Sequence, residues 1–124
     1  MIERDTVIAL IDELKAFDGV ILVEGKKDER ALARYGIRTQ SIDTSPDTII
    51  EALAREYDRI LILTDTDEEG RRLHDQVRAA CERVSINDDP RLRRAFFTAT
   101  KLRTVEGFDT LCERLRIDSD KSLV

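Results

Sequence analysis

The sequence of 124 residues contains no tryptophan, one histidine, two cysteines and few aromatic side chains. Because His74 is the only histidine, neither a histidine-based catalytic triad nor a zinc site built from cysteine and histidine is supported. Cys81 and Cys112 lie far apart, each within an apolar helical pattern. This favours two buried free thiols over a disulfide or a metal site.

Long apolar segments are also missing. No stretch approaches the roughly 20 apolar residues that a membrane-spanning helix needs, and the N-terminus lacks the pattern of a signal peptide. Apolar residues make up 41% of the chain and charged residues 38%. We therefore expect a cytoplasmic protein without membrane contact, folded as one domain over residues 1–124 with an aliphatic core.

The net charge of −5 argues against a protein that coats nucleic acid nonspecifically. The charges are unevenly distributed, however, because residues 91–103 contain five cations and no acid. The five are Arg91, Arg93, Arg94, Lys101 and Arg103. A local basic surface is therefore compatible with the overall acidity. The alternative is that these charges protect an edge strand from aggregation.

Helical and strand patterns alternate along the chain. Amphipathic spacing predicts helices over about 3–16, 27–35, 46–57, 67–84 and 104–115, with Ser45 and Pro46 as a start signal for the third. Apolar β-branched runs predict buried strands at 20–25 and 59–64. Weaker patterns predict strands at 37–42 and at 93–100, with a loop over 85–90 and a frayed tail after Asp118.

This alternation predicts a doubly wound α/β fold, with a four-stranded parallel sheet and helices on both faces. If the chain winds one way to strand two and returns past strand one to place strand three, the strand order is 2-1-3-4. Ligands of such sheets bind beyond the carboxyl ends of the strands, where the winding reverses. That point lies between strands one and three.

Carboxylates follow both strands at this point. Glu24 ends strand one, and Asp65 and Asp67 follow strand three. Several carboxylates without histidine or cysteine are hard oxygen ligands, which suit Mg²⁺ or Mn²⁺. The alternative is that acids at strand ends only cap the following helices and interact with the positive ends of their dipoles.

Three other acidic sites fit the residues less well. An EF-hand loop that began at Asp65 would have Gln76 at the position of its bidentate glutamate, and a strand rather than a helix before it. A phosphatase with an aspartyl nucleophile carries its D-x-D motif after the first strand. A response-regulator receiver needs an acidic pair after strand one, where Gly25 and Lys26 follow Glu24.

The segments "VILVEGKKDERAL" and "ILILTDTDEEGRRL" together resemble the Toprim domain. Bacterial-type primases, type IA and type II topoisomerases, OLD-family nucleases and RNase M5-like nucleases share this domain. Its first motif is an apolar strand that ends in Glu, often Glu-Gly-Lys, and its second is an apolar strand that ends in D-x-D. The resemblance covers about residues 20–100. The chain looks like a small stand-alone Toprim protein, and its first motif is most similar to that of the RNase M5-like group.

The resemblance implies roles for the acidic residues. Glu24 matches the glutamate of the family, which acts as a metal ligand or as a general acid or base. Asp65 and Asp67 match its metal-binding pair. Asp28 and Glu69 are further candidate ligands, with the alternative that each is an ordinary acid of a first helical turn. Mg²⁺ or Mn²⁺ is the implied cofactor.

The resemblance also implies roles for other residues of the two motifs. Lys26 matches a frequent basic residue that could meet a phosphate during catalysis. Gly25 matches a position where the backbone passes close to the site, and Gly70 matches the glycine that follows D-x-D.

Basic residues indicate where nucleic acid could bind. Lys26, Arg30 and Arg34 recur along one helix that begins near the acidic strand ends. With Arg93 and Arg94, Lys26 and Arg30 are our candidate nucleic-acid contacts, although a solvated helix face is equally compatible with the spacing. We expect Mg²⁺-dependent phosphodiester chemistry on RNA or DNA, most plausibly by a nuclease. The alternative is a non-catalytic module that binds metal and nucleic acid or docks on a larger machine.

Overall fold

The computed structural model describes residues 1–120, so the last four residues of the expected frayed tail lie outside the described part. The elements are α1 (Arg4–Lys15), β1 (Val20–Val23), α2 (Lys26–Ala33), β2 (Gln40–Ser41), α3 (Pro46–Leu53), β3 (Arg59–Ile62), α4 (Glu68–Val84), β4 (Asn87–Asp88), α5 (Pro90–Thr100) and α6 (Phe108–Arg114). A single 3₁₀ turn, Val105–Gly107, precedes α6. None of the described helices is both long and apolar enough to cross a bilayer.

The four strands form a parallel sheet in the order β2-β1-β3-β4, which confirms the predicted doubly wound α/β fold. The central pair is β1 and β3, with Val20 opposite Ile60 and Leu22 opposite Ile62. The chain reverses its winding between these two strands. Their carboxyl ends, which carry the acidic motifs, are therefore neighbours.

Each face of the sheet has its own hydrophobic cluster, because successive side chains of a strand point to opposite faces. Ile21 and Leu61 pack on the face that is covered by α1, α2, α5 and α6. Leu22 and Ile62 pack on the face that is covered by α3 and α4. Both cores are largely aliphatic, and Cys81 and Cys112 are buried free thiols, as predicted.

The helix starts follow local sequence signals. The Ser45 hydroxyl accepts a hydrogen bond from the Thr48 amide at 3.2 Å, and Pro46 is the first residue of α3, as the sequence indicated. Asp89 and Pro90 repeat this arrangement at α5, where the Asp89 carboxylate accepts from the Leu92 amide at 3.0 Å.

The prediction of a strand over residues 93–100 is wrong, because these residues belong to α5. Leu92, Phe96 and Thr100 recur every fourth residue and form the buried side of that helix. The fourth strand is instead Asn87–Asp88, inside the segment that was predicted to be a loop. The capping signal at Asp89 and Pro90 outweighs the β propensity of the Phe-Phe-Thr run.

The last described residues, up to Asp120, contact the N-terminal half of the fold. The helix predicted over 104–115 begins as the 3₁₀ turn and continues as α6. Beyond it, the Lys15 ammonium donates to the Asp120 carboxylate at 2.9 Å, and the Asp120 amide donates to the Arg34 carbonyl at 2.7 Å. The described part of the segment after Asp118 is thus held by hydrogen bonds rather than frayed.

Candidate metal and nucleic-acid site

Two carboxylates meet at the carboxyl ends of β1 and β3. Glu24 follows β1 directly, and its Oε2 accepts a hydrogen bond from the backbone amide of Asp65 at 2.7 Å. Both residues are partly exposed at this edge of the sheet. The winding of the chain therefore brings together the two acids that the sequence placed on different motifs.

The Glu24 carboxyl is held in its protonated form up to unusually high pH. Burial and the nearby negative charge of Asp65 raise its pKa from 4.5 to about 7, against the lowering effect of the Asp65 amide. A carboxyl group with a pKa near neutrality can both release and accept a proton at physiological pH.

Asp28 is a third acid at this edge, where the resemblance names it as a further candidate ligand alongside Glu69. Its side chain is only 7% exposed, and its Oδ2 accepts from the Gly25 amide at 3.1 Å. Burial first, and then the charges of Asp65 and Glu106, raise its pKa. Its place in the first turn of α2 is also that of an ordinary capping acid, so spacing alone could not distinguish it.

The segment after α5 holds the "DTD" loop in position. The Val105 amide donates to Oδ1 of Asp65 at 2.8 Å, which orients that carboxylate. The amide and the hydroxyl of Thr66 both donate to the Arg103 carbonyl, at 2.9 and 3.2 Å. The sequence contains no local signal for these contacts, because they depend on how the chain returns from α5.

Asp67 caps a helix, as the alternative interpretation of the motif predicted. One of its oxygens accepts from the Gly70 amide at 2.8 Å at the start of α4. Asp67 and Glu69 are both exposed, and Glu69 makes no hydrogen bond or ion pair within residues 1–120. A helix cap uses only part of a carboxylate, so Asp67 can cap α4 and still offer its second oxygen.

The first motif places its glycine and lysine at the start of α2. Gly25 is extended, and a Cβ on it would meet no atom within 4 Å. The described chain therefore does not crowd this glycine, and the close passage of its backbone to the site stays a prediction. The Lys26 side chain is 68% exposed, with its ammonium 3.3 Å from Glu29 Oε2.

The proposed basic contacts occupy different environments. Arg94 and Arg30 are exposed, on α5 and α2. Arg93 instead turns inward, and one of its guanidinium nitrogens donates to the carbonyls of Thr64 and Asp65 at 2.9 and 3.1 Å. The guanidinium also lies 5.2 Å from the centre of the Phe97 ring.

Arg93 therefore supports the site from the interior of the protein, by binding the backbone at Asp65. Burial, and then the neighbouring charge of Arg71, lower the pKa of its guanidinium. Its positive charge lies against the last carbonyls of the β3 segment, where it supports the backbone that carries Asp65. The sequence predicted a phosphate contact here because it placed Arg93 on an exposed edge strand rather than on α5.

The donor chemistry of this edge fits a hard divalent cation. Within residues 1–120, no group of three or more histidine, cysteine, aspartate or glutamate side chains lies close enough to hold a metal ion. Mg²⁺ typically keeps several waters and takes only one or two carboxylates, with substrate phosphates as further ligands. Glu24 and Asp65 meet that smaller requirement, and burial together with the charge of Asp65 raises the pKa of Glu24.

This electrostatic arrangement predicts an unusual pH dependence. Without divalent cations, the free energy of unfolding should fall as the pH rises from about 4.5 through about 7. Over this range the folded protein keeps the proton of Glu24 while the unfolded chain has released it, so the folded state loses its advantage. We expect a loss of about 1–2 kcal/mol, because the carboxyl group is only partly buried. The raised pKa of Asp28 acts in the same direction.

Urea unfolding in EDTA, at pH values below and above 7, checks this prediction. Glu24→Gln keeps an acceptor for the Asp65 amide but cannot titrate, so it should remove most of the pH dependence. Glu69→Gln changes an exposed acid in the first turn of α4 and should leave it intact. A wild-type protein that becomes more stable across this range would contradict the prediction.

Comparison with known proteins identifies the class to which this fold and site belong. The sequence model of the Toprim domain matches residues 19–100, which contain both acidic motifs. The chain belongs to the Toprim domain family. Toprim domains typically bind Mg²⁺ and function in metal-dependent transactions of nucleic acids, and family membership supports function at this level.

Individual relatives cover most of the chain. A UPF0292 protein of Thermococcus sibiricus is 38% identical over 104 residues, which are 82% of each chain. The UPF0292 protein PH1700 of Pyrococcus horikoshii is 34% identical over 105 residues, which are 83% of this chain and 79% of the relative. A solved structure, described as a putative protein from Aquifex aeolicus, has the same fold with a TM-score of 0.74. It is 24% identical and covers 81% of this chain and 95% of that chain.

Proposed function

We propose that this Toprim protein catalyses Mg²⁺-dependent phosphodiester chemistry on nucleic acid, as a nuclease. The observation that carries the proposal is the 2.7 Å contact between Glu24 and the Asp65 amide. It joins the glutamate of the first motif to the D-x-D motif at the switch point of the sheet, where α/β proteins bind their ligands.

The acidic residues would divide the work. Asp65, oriented by the Val105 amide, would hold the divalent ion together with Glu24 or the free oxygen of Asp67. The bound ion supplies charge neutralisation at the scissile phosphate. Glu24, with its pKa near 7, is suited to move a proton to or from the attacking or leaving oxygen. Glu69 would contribute a further carboxylate oxygen from the first turn of α4, and the Lys26 ammonium would bind a phosphate of the substrate.

The test is cleavage of defined substrates by the purified protein. Labelled pools of RNA and DNA should be cut with Mg²⁺ or Mn²⁺ and not with EDTA. Glu24→Gln should lower the rate by about 10²-fold or more, which is the range for loss of a general acid or base. Cleavage that persists at the wild-type rate in Glu24→Gln would come from a contaminant and would sink the proposal.

A second candidate is a non-catalytic module that binds metal and nucleic acid or docks on a larger machine. Two observations favour it, namely the net charge of −5 and the use of an Asp67 oxygen as a helix cap. Such a module would bind an oligonucleotide in the presence of Mg²⁺ and would leave it uncut at any protein concentration.

A further inference from the structure

A cavity of the described chain lies beside the candidate site. It has a volume of about 1050 Å³ and is bounded by α2 on one side and by the 3₁₀ turn and α6 on the other. Thr104 and Glu106 are among the residues that line it. They flank Val105, whose amide donates to the Asp65 carboxylate. The negative charge of Glu106 also contributes to the raised pKa of Asp28.

Two cations on the α2 wall of this cavity are unpaired. Lys27 and Arg30 are exposed, and neither makes a hydrogen bond or an ion pair within residues 1–120. Lys26, one position earlier, bridges to Glu29 instead. Unpaired cations along a recess are the usual means of holding a phosphate backbone.

Most of the acids that line the cavity are paired with cations other than Lys27 and Arg30, and so do not neutralise these two charges. Asp109 accepts from the guanidinium of Arg34 at 2.6 Å, and Asp120 accepts from Lys15 at 2.9 Å. Glu106 alone makes no ion pair within residues 1–120, and it lies at the end towards Asp28. Within the described residues, the recess therefore has one unpaired acid, Glu106, whose charge acts on Asp28, and two unpaired cations, Lys27 and Arg30, in the first turns of α2.

The size and lining of the cavity define what it can hold. Its volume is at the upper end of the roughly 300–1,000 Å³ of small-molecule pockets, which is room for a few nucleotides and not for a duplex. None of the described lining residues is aromatic. A strand here would be held by its phosphates, without stacking of bases, and thus without strong sequence preference.

We propose that this cavity is the binding groove for a single nucleic-acid strand, whose phosphates are held by Lys27 and Arg30 as it enters the Glu24–Asp65 site. The inference rests on the proposed function, because it assigns the path of that site's substrate. Of the two basic regions that the sequence offers, it assigns the one on α2, and not the one on α5, as the main phosphate-binding surface. The shared phosphodiester chemistry of RNA and DNA makes either strand a suitable ligand.

The first test measures the affinity for short single-stranded RNA and DNA oligonucleotides, by fluorescence anisotropy over a range of salt concentrations. In the Lys27→Ala/Arg30→Ala variant, the slope of log K against log salt should fall by about 1.4, which corresponds to two lost phosphate contacts on a single strand. The dissociation constant at low salt should rise roughly tenfold. A duplex of the same sequence should bind more weakly than either single strand.

The control is Arg38→Ala/Arg55→Ala, which removes the same charge from exposed positions before β2 and β3, at the opposite end of the strands. An equal loss in the control, an unchanged slope in Lys27→Ala/Arg30→Ala, or tighter binding of duplex overturns the inference. If the wild-type protein binds no oligonucleotide at all, the proposed function itself fails. The two failures are therefore distinguishable.

A second test locates the strand directly. Thr110 is exposed on the α6 wall of the cavity, and Thr110→Cys can carry a photoreactive thiol label. The native thiols will not compete, because Cys81 and Cys112 are buried and burial raises the pKa of each. The labelled variant should crosslink to a bound oligonucleotide, whereas Glu51→Cys on α3 should not. Equal crosslinking from both positions overturns the inference.

Discussion

Replacing Gly70 by alanine should destabilise the protein by about 3 kcal/mol or more, the upper range for a side chain forced into a packed position. A Cβ on Gly70 would lie 2.6 Å from the carbonyl carbon of Asp65 and 2.9 Å from its Cα. Real Cβ atoms do not approach backbone so closely, and backbone cannot rotate away as a side chain can. The first turn of α4 would have to move away from the end of β3.

The same displacement of α4 should disrupt the candidate metal site. Both backbone polar groups of Gly70 are hydrogen-bonded. Its amide donates to the Asp67 carboxylate, and its carbonyl accepts from the Thr64 hydroxyl at 2.8 Å. A shift of α4 therefore moves both sides of the "DTD" loop. We expect Gly70→Ala to lose the stabilisation by Mg²⁺ as well as the intrinsic stability, as measured by melting curves with and without the ion.

Gly25→Ala is the matched control for this prediction. It makes the same chemical change at the other motif glycine, where a Cβ meets no atom within 4 Å and the backbone is extended. The expected cost is at most about 1 kcal/mol, from alanine as a poorer helix cap. The prediction fails if Gly70→Ala unfolds no more easily than Gly25→Ala.

The two central strands and the strand order could be predicted from the sequence because they depend on local patterns and general chain geometry. The runs around Leu22 and Ile62 are apolar on both faces, which only a buried parallel strand requires. Right-handed crossovers then leave few ways to connect them. The nearness of Glu24 and Asp65 follows from that topology, without knowledge of any side-chain contact.

The remainder of the site depends on contacts between distant segments. Arg93 reaches the carbonyls of Thr64 and Asp65 only because residues 90–100 are a helix, and the sequence pattern there was interpreted as a strand. The Val105 amide contacts Asp65 only because the chain returns over the sheet edge. The Asp-Pro pair at Asp89 was the one local signal that could have corrected the first error.

Substituting Asp65 by asparagine should leave the metal-free fold as stable as wild type, or more so, while abolishing the response to Mg²⁺. The amide keeps an oxygen that can accept from Val105, and it removes the negative charge that now faces Glu24 and Asp28. The repulsion within the acidic cluster should therefore decrease. A divalent ion would lose a charged ligand at the same time.

Asp67→Asn separates the two interpretations of the second acid of the motif. Asparagine caps a helix nearly as well as aspartate, so if Asp67 only caps α4, neither the stability nor the Mg²⁺ response should change. If its free oxygen also holds the ion, stability without metal should persist while the gain from Mg²⁺ shrinks. Asp65→Asn combined with Asp67→Asn should lose both the gain and any cleavage activity, by about 10²-fold or more.

Melting curves decide the question, because an ion that binds only the folded state stabilises it by mass action. At a concentration one hundred times the dissociation constant, the gain is about 2.7 kcal/mol. Wild type should approach this value as Mg²⁺ or Mn²⁺ is raised, and so should Glu51→Gln/Glu56→Gln, which removes two exposed acids around the end of α3. The Asp65→Asn/Asp67→Asn variant should remain flat. If wild type responds to neither ion at any concentration, Glu24 and Asp65 do not form a metal site, and a non-catalytic module that docks on a larger machine becomes the better description of the protein.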